Sequence, residues 1–335
     1  MPKTRYEYLD NLSGVLIIFM ILFYHLPLFC GLGETRPFVI LRSFFDFFMA
    51  WFFFKSGMFF KENRSIREEV MKCWHRLIVP YLFINALCII VPSIIHWGGP
   101  ATVGAQLKIL VTKESGALCA ALWFLLSLSI VRIIYATLLG KLGIHPWLLI
   151  TGFLLLAVGM NIYSYHVADD SLIKSLTGYT VHSWIGNVFL GALFFGLGVT
   201  LKQKQFERKE LVWICLILYL VHLLFPSYLD FRYNQSPHYL LSIAYYFTGI
   251  ILFNNLFFKT MNRRIPILTH IGQNSMVYYI THFTFFKLLF EVYARCGISN
   301  VLRQFAISFP ITILFMILMD YLFRMKSLKW IVGAK

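Results

Sequence analysis

Charge is what this sequence lacks. Only 13% of its 335 residues are Asp, Glu, Lys or Arg, against 59% hydrophobic. A soluble domain of this length cannot cover its surface with so few charges. Acidic residues are the scarcer sign, 15 against 30 basic, for a formal net charge of +15. Strict apolar/polar alternation is also missing, which disfavours a membrane β-barrel. The six cysteines (Cys30, Cys73, Cys88, Cys119, Cys215, Cys296) have neither metal-ligand spacing nor a readable disulfide framework, so no metal is expected. There is no internal repeat, no low-complexity tract, and no polar segment long enough to fold alone; the largest, near 97–118, has about twenty residues.

What is present is a series of membrane-length apolar runs. Ten spans are expected, at roughly 11–31, 38–60, 77–96, 119–139, 146–166, 183–201, 211–226, 238–258, 272–293 and 300–323. The first has no small-residue cleavage site and reads as an uncleaved span. The fold class is therefore an all-α, polytopic transmembrane bundle, taken as one domain over 1–335. Lys and Arg concentrate in alternate loops, which puts both termini in the cytoplasm of a multi-pass inner (plasma) membrane protein. That distribution assigns the basic excess to orientation and anionic membrane lipids, not nucleic acid. Oligomeric state is not legible.

Polar residues at membrane depth are costly and face the bundle interior or a wet cavity. His25 lies roughly 10 Å below the outer rim, and Asp46 roughly 12 Å below it on the next span. Arg42 stands one turn before Asp46. A pocket of His25, Asp46 and Arg42 is one expectation: a carboxylate beside an imidazole fixes its tautomer and suits a general base acting on a hydroxyl. The other is a helix-packing His and a structural ion pair. His282 lies near mid-membrane, roughly 15 Å from the inner rim. His222 stays unassigned, Arg132 lies deep in the fourth span, Lys55 can snorkel, and Lys287 with Glu291 reads as a structural pair one turn apart. Basic clusters at 61–76, 202–209 and 259–264 suit either a phosphate-bearing ligand or lipid head groups.

Five segments in order carry a resemblance: "YLDNLSGVLIIFMILFYHL", "WFFFKSGMFF", "HRLIVPYLF", "ALWFLLSL" and "IGQNSMVYYITHF". Over about residues 5–285 they resemble the integral-membrane acyltransferase family 3, which includes polysaccharide O-acetyltransferases and fucose 4-O-acetylase-like proteins. The resemblance implies that His25 is the essential first-span histidine and His282 the late one. It also implies that Ser56 and Gly57 are the helix-end signature, that Trp123 is the span-four tryptophan, and that Arg76 handles acyl-CoA. One departure is clear: Ser13 stands before Gly14, where the family usually has Arg or Lys. That departure implies a divergent acceptor, another basic residue (Arg5, Arg42 or Lys55) in that role, or lost activity.

The resemblance implies an O-acyltransferase. It would move an acyl group, expected to be acetyl, from acetyl-CoA or another acyl-CoA to a hydroxyl of a cell-envelope glycan or lipid-linked sugar. CoA phosphates would dock on Arg64, Arg67, Lys72, Arg76, Arg263 and Arg264. Direct transfer and a covalent relay both stay open. The rival readings are a glycan or lipid transporter or flippase, and an inactive relative with a scaffolding role.

Overall fold

A computed structural model of the chain describes residues 6–95, 103–113, 118–166, 181–202 and 209–332. The described residues are mostly helical, with an isolated antiparallel bridge between Asp230 and Gln235 and no strand. Each stretch expected to cross the membrane carries a helix. Seven helical runs are long and apolar enough to do so: Glu7–Phe29, Arg36–Met58, Ile66–Ile90, Ala120–Lys141, Pro146–Tyr163, Tyr239–Thr260 and Val301–Arg324. Ile185–Leu201 and Glu210–Leu224 are apolar but shorter. Ser275–Arg295 is long but more polar, carrying His282, Lys287, Glu291 and Arg295. Of the polar segment near 97–118, Val103–Lys113 is a helix, and most of the remainder lies outside the described residues.

Two boundaries differ from expectation for identifiable reasons. The third run starts at Ile66, well before the apolar stretch, because Ser65 and Glu68 form a reciprocal capping box. Much of the basic segment 61–76 is thus a helix instead of a loop. The second run is broken: the α-helix ends at Ser43, turns through Phe44–Phe47 and resumes at Phe48. The carbonyls released by the break are taken up by neighbours, Ser43 O by His222 Nε2 at 3.2 Å and Phe44 O by the Tyr219 hydroxyl. A break at membrane depth is tolerated when its backbone groups find such partners.

The helices gather into two compact units, each discontinuous in sequence. One comprises 1–48, 203–226 and 245–325; the other comprises 49–202, 227–244 and 326–335. In the first unit the short helix Pro266–Gln273 is locked onto the opening helix. Asn11 Nδ2 donates to the carbonyls of Met261 and Arg263, both at 2.8 Å, and Thr269 Oγ1 donates to Asn11 Oδ1 at 2.7 Å. The backbones approach so closely that a Cβ on Gly272 would stand 1.8 Å from the Asp10 carbonyl oxygen. In the second unit Gly57 and Gly198 allow an equally close crossing, with hypothetical Cβ atoms 2.0 Å from the Phe195 and Phe54 carbonyl oxygens. Small residues that bring backbones together are the usual glue between membrane helices.

Candidate functional site

The opening helix changes its winding where the chemistry is. Phe19–His25 is π-helical and ends on His25. Such segments hold one extra residue per turn and recur at functional sites. The wider turn delivers His25 to the helix Ser275–Arg295, where its Nδ1 lies 3.1 Å from Nε2 of His282. The rings are 4.9 Å apart between centroids and tilted by 32°.

The hydrogen bonds fix the proton positions. His282 Nδ1 faces two backbone carbonyls, Tyr278 O at 3.0 Å and Tyr279 O at 2.9 Å. Carbonyls only accept, so this nitrogen carries the hydrogen, and His282 Nε2 presents a lone pair. His25 Nδ1 must therefore be the donor across the pair. The Met20 carbonyl, one π turn back on the same helix, also faces this ring and, accepting only, can share the Nδ1 hydrogen. With its hydrogen on Nδ1, His25 keeps a lone pair on Nε2, the state required of a general base. His282 is buried (1% exposed), whereas His25 is only half-buried.

Aromatic edges frame the His25 ring. Tyr24 meets it at 5.0 Å and 84°, and Phe283 at 5.8 Å and 88°. Phe29, one turn beyond His25, packs on Phe283 at 5.1 Å and Phe286 at 5.4 Å. Tyr24 also lines a small surface recess with Phe23, Leu28, Gly33, Phe38 and Arg42, whose cavity volume is only about 10 Å³, room for about one water.

The expected grouping of His25 with Asp46 and Arg42 is met only in part. Arg42 lines the recess beside Tyr24, but the partner of the imidazole is His282, not Asp46. Asp46 is buried, and its Oδ1 lies 3.9 Å from Arg42 Nε and has no hydrogen bond. Arg42 also reaches Glu34 at 3.5 Å. His222, unassigned from the sequence, lies with its ring 4.6 Å from Tyr245 and hydrogen-bonds the Ser43 carbonyl. Lys287 and Glu291 do not form the expected ion pair: Glu291 is bound by Arg295 at 3.2 Å, and the Lys287 ammonium lies over the rings of Phe29 and Phe283.

In the second unit, Glu69 is fully buried and receives two arginines. Arg64 Nη1 reaches it at 2.8 Å and Arg132 Nε at 2.6 Å. Arg132 also donates to Ser56 Oγ at 2.6 Å, which gives the helix-end Ser–Gly signature a physical role. Lys72 and Arg76 act electrostatically on the same cluster. Four cations against one carboxylate leave an excess of positive charge, which attracts anions. Arg67 is exposed on the helix that carries Glu69. Arg263 and Arg264 are exposed in the first unit, beside the Asn11 anchor. Of the basic cluster at 202–209, residues 203–208 lie outside the described residues, as does Arg5.

The sequence bears the same stamp as this geometry. A family model described as an acyltransferase domain, that of acyltransferase family 3, matches residues 6–321. The chain belongs to this acyltransferase family. No curated protein and no solved structure matches it. The matched region contains both histidines and the Glu69–Arg132 network, so this membrane acyltransferase carries its candidate machinery within the family's own domain.

Two features of the acyltransferase escaped sequence reasoning. Glu69 lay in a segment taken for a loop, although the Ser65-x-x-Glu68 pattern announces a helix start there. The Lys287 contact has no sequence signal, since the competing carboxylate at Glu291 also has Arg295 within one turn.

Proposed function

We propose that this protein is an O-acyltransferase moving an acetyl group from acetyl-CoA to a hydroxyl of a cell-envelope glycan or lipid-linked sugar. It would work as a multi-pass protein of the inner membrane with both termini cytoplasmic. The observation that carries the reading is the wiring of the histidine pair, which leaves the lone pair of a half-buried imidazole on His25 Nε2.

In this reading Nε2 of His25 removes the proton as the acceptor hydroxyl oxygen attacks the thioester carbonyl. The tetrahedral adduct collapses with cleavage of the C–S bond, and the imidazolium returns the proton to the departing thiolate. An ester and free CoA thiol result, with protons in balance. His282 holds the His25 tautomer through both steps. Arg42, beside Tyr24, serves as a donor to the acceptor, with Asp46 acting through Arg42. The positive cluster of Arg64, Lys72, Arg76 and Arg132 is suited to the CoA phosphates, with the exposed Arg67 as a further contact; Arg263 and Arg264, exposed in the first unit, offer the same chemistry.

The test is transfer of labelled acetyl by purified wild type and by His25→Ala. The variant is expected to bind acetyl-CoA but transfer nothing. Wild-type transfer rates in His25→Ala would remove the mechanism. Arg76→Gln is expected to raise the Kd for acetyl-CoA about tenfold and to flatten its salt dependence.

A further inference from the structure

Among the described residues, the cation on the aromatic wall of the histidine site has no carboxylate within ion-pair reach. Lys287 is exposed, and its Nζ lies 5.4 Å from the centroid of Phe29 and 5.9 Å from that of Phe283. Phe283 in turn meets His25 edge-on. The ammonium is thus one ring contact from the imidazole. Glu291, one turn along the same helix, is taken by Arg295, while Glu34 and Asp46 pair with Arg42. Arg42, the cation of the neighbouring recess, is matched to two carboxylates, and Lys287 to none among the described residues. A lysine over ring faces keeps its three donors free on the side away from the rings, and its four-carbon stem lets it swing toward a ligand.

We propose that Lys287 binds an anionic group of the acyl acceptor, a phosphate or carboxylate on the molecule whose hydroxyl His25 deprotonates. The proposal rests on the acyltransferase reading above and narrows its substrate class from polyols in general to acidic ones. A neutral sugar would leave the ammonium over the rings. An acidic one gains a charge-assisted hydrogen bond that also fixes which hydroxyl faces Nε2 of His25. The phosphate of a lipid-linked sugar and the carboxylate of a uronic acid both supply this chemistry.

Calorimetric titration of the purified protein in detergent tests it, with glucose 1-phosphate, glucuronate and methyl glucoside as probes. The two anions are expected to bind about tenfold more tightly than the neutral glucoside. Lys287→Gln should erase that preference, Lys287→Arg should keep it, and the unfolding temperature should be unchanged in both. Because the Glu69 cluster also attracts phosphate, the decisive quantity is the part of the anion preference that Lys287→Gln removes. A larger effect for glucose 1-phosphate assigns a phosphate, and a larger effect for glucuronate a carboxylate. Equal binding of charged and neutral probes, or an anion preference that Lys287→Gln leaves undiminished, overturns the proposal. The His25→Ala transfer assay reports separately: flat binding with transfer abolished refutes only the role of Lys287, and Lys287-dependent binding with transfer intact refutes only the base.

Discussion

Arg132 and Glu69, sixty-three positions apart, meet inside the second unit with Nε 2.6 Å from Oε1. The carboxylate has no exposure, and Arg132 is itself wedged near the rings of Phe60 and Phe195. A charge buried in this way is tolerated only while its partners stay.

Removing Glu69 alone therefore strands two guanidinium groups. Glu69→Ala is expected to lose about 3–5 kcal/mol of stability, seen as a large fall in the unfolding temperature of the detergent-solubilised protein. Arg64→Met, which removes a partly exposed partner, should cost much less. Equal effects of the two variants would mean that Glu69 is not held as described.

The histidine pair separates orientation from basicity. His282→Ala leaves His25 in place but removes the acceptor of its Nδ1 hydrogen, and transfer is expected to fall about 100-fold at unchanged Kd for acetyl-CoA. His282→Gln offers an amide oxygen to the same hydrogen and should recover part of the loss. Steady-state kinetics of the three proteins, with kcat and KM reported separately, provide the check.

Asp46 makes the opposite case. Because it touches Arg42 and not His25, Asp46→Asn is expected to leave kcat within about threefold and to raise KM for the acceptor. A loss of kcat comparable to that of His25→Ala would put the carboxylate at the reacting atoms after all.

The close helix crossings predict a contrast among glycines. Gly272→Ala and Gly57→Ala drive a methyl group into a facing carbonyl and should cost about 1–3 kcal/mol or more each. Gly152→Ala and Gly159→Ala lie on the helix Pro146–His166 with nothing within 4 Å of the added carbon. Those two should be stabilising by about 0.5–1 kcal/mol. Thermal unfolding of the four variants distinguishes the classes.

Much of the architecture was legible because long apolar runs force helices wherever they occur. His25 and His282 were legible as polar atoms in those runs, and the ordered motifs singled out the same two. Their partnership was not. A rise per residue gives height along a helix, which placed Asp46 level with His25, but it says nothing of which side of the neighbouring helix a residue occupies. The turn at Phe44–Phe47 and the π winding at Phe19–His25 each rotate one residue set against another, so face assignments that assume regular α geometry fail there. The start of the third run was missed for another reason. Hydropathy sees only its apolar half, although the cap at Ser65 and Glu68 was written in the sequence.

The winding at Phe19–His25 makes the length of that stretch as consequential as its composition. Inserting a single residue within 20–24, where the π turns already hold the extra one, would swing everything before the insertion by about 100° relative to His25. Asn11 and Gly14, which grip Pro266–Gln273, and the imidazole, which faces His282, could then no longer both be seated. In this helix the spacing between anchor and imidazole is itself under constraint, whichever apolar side chains fill it.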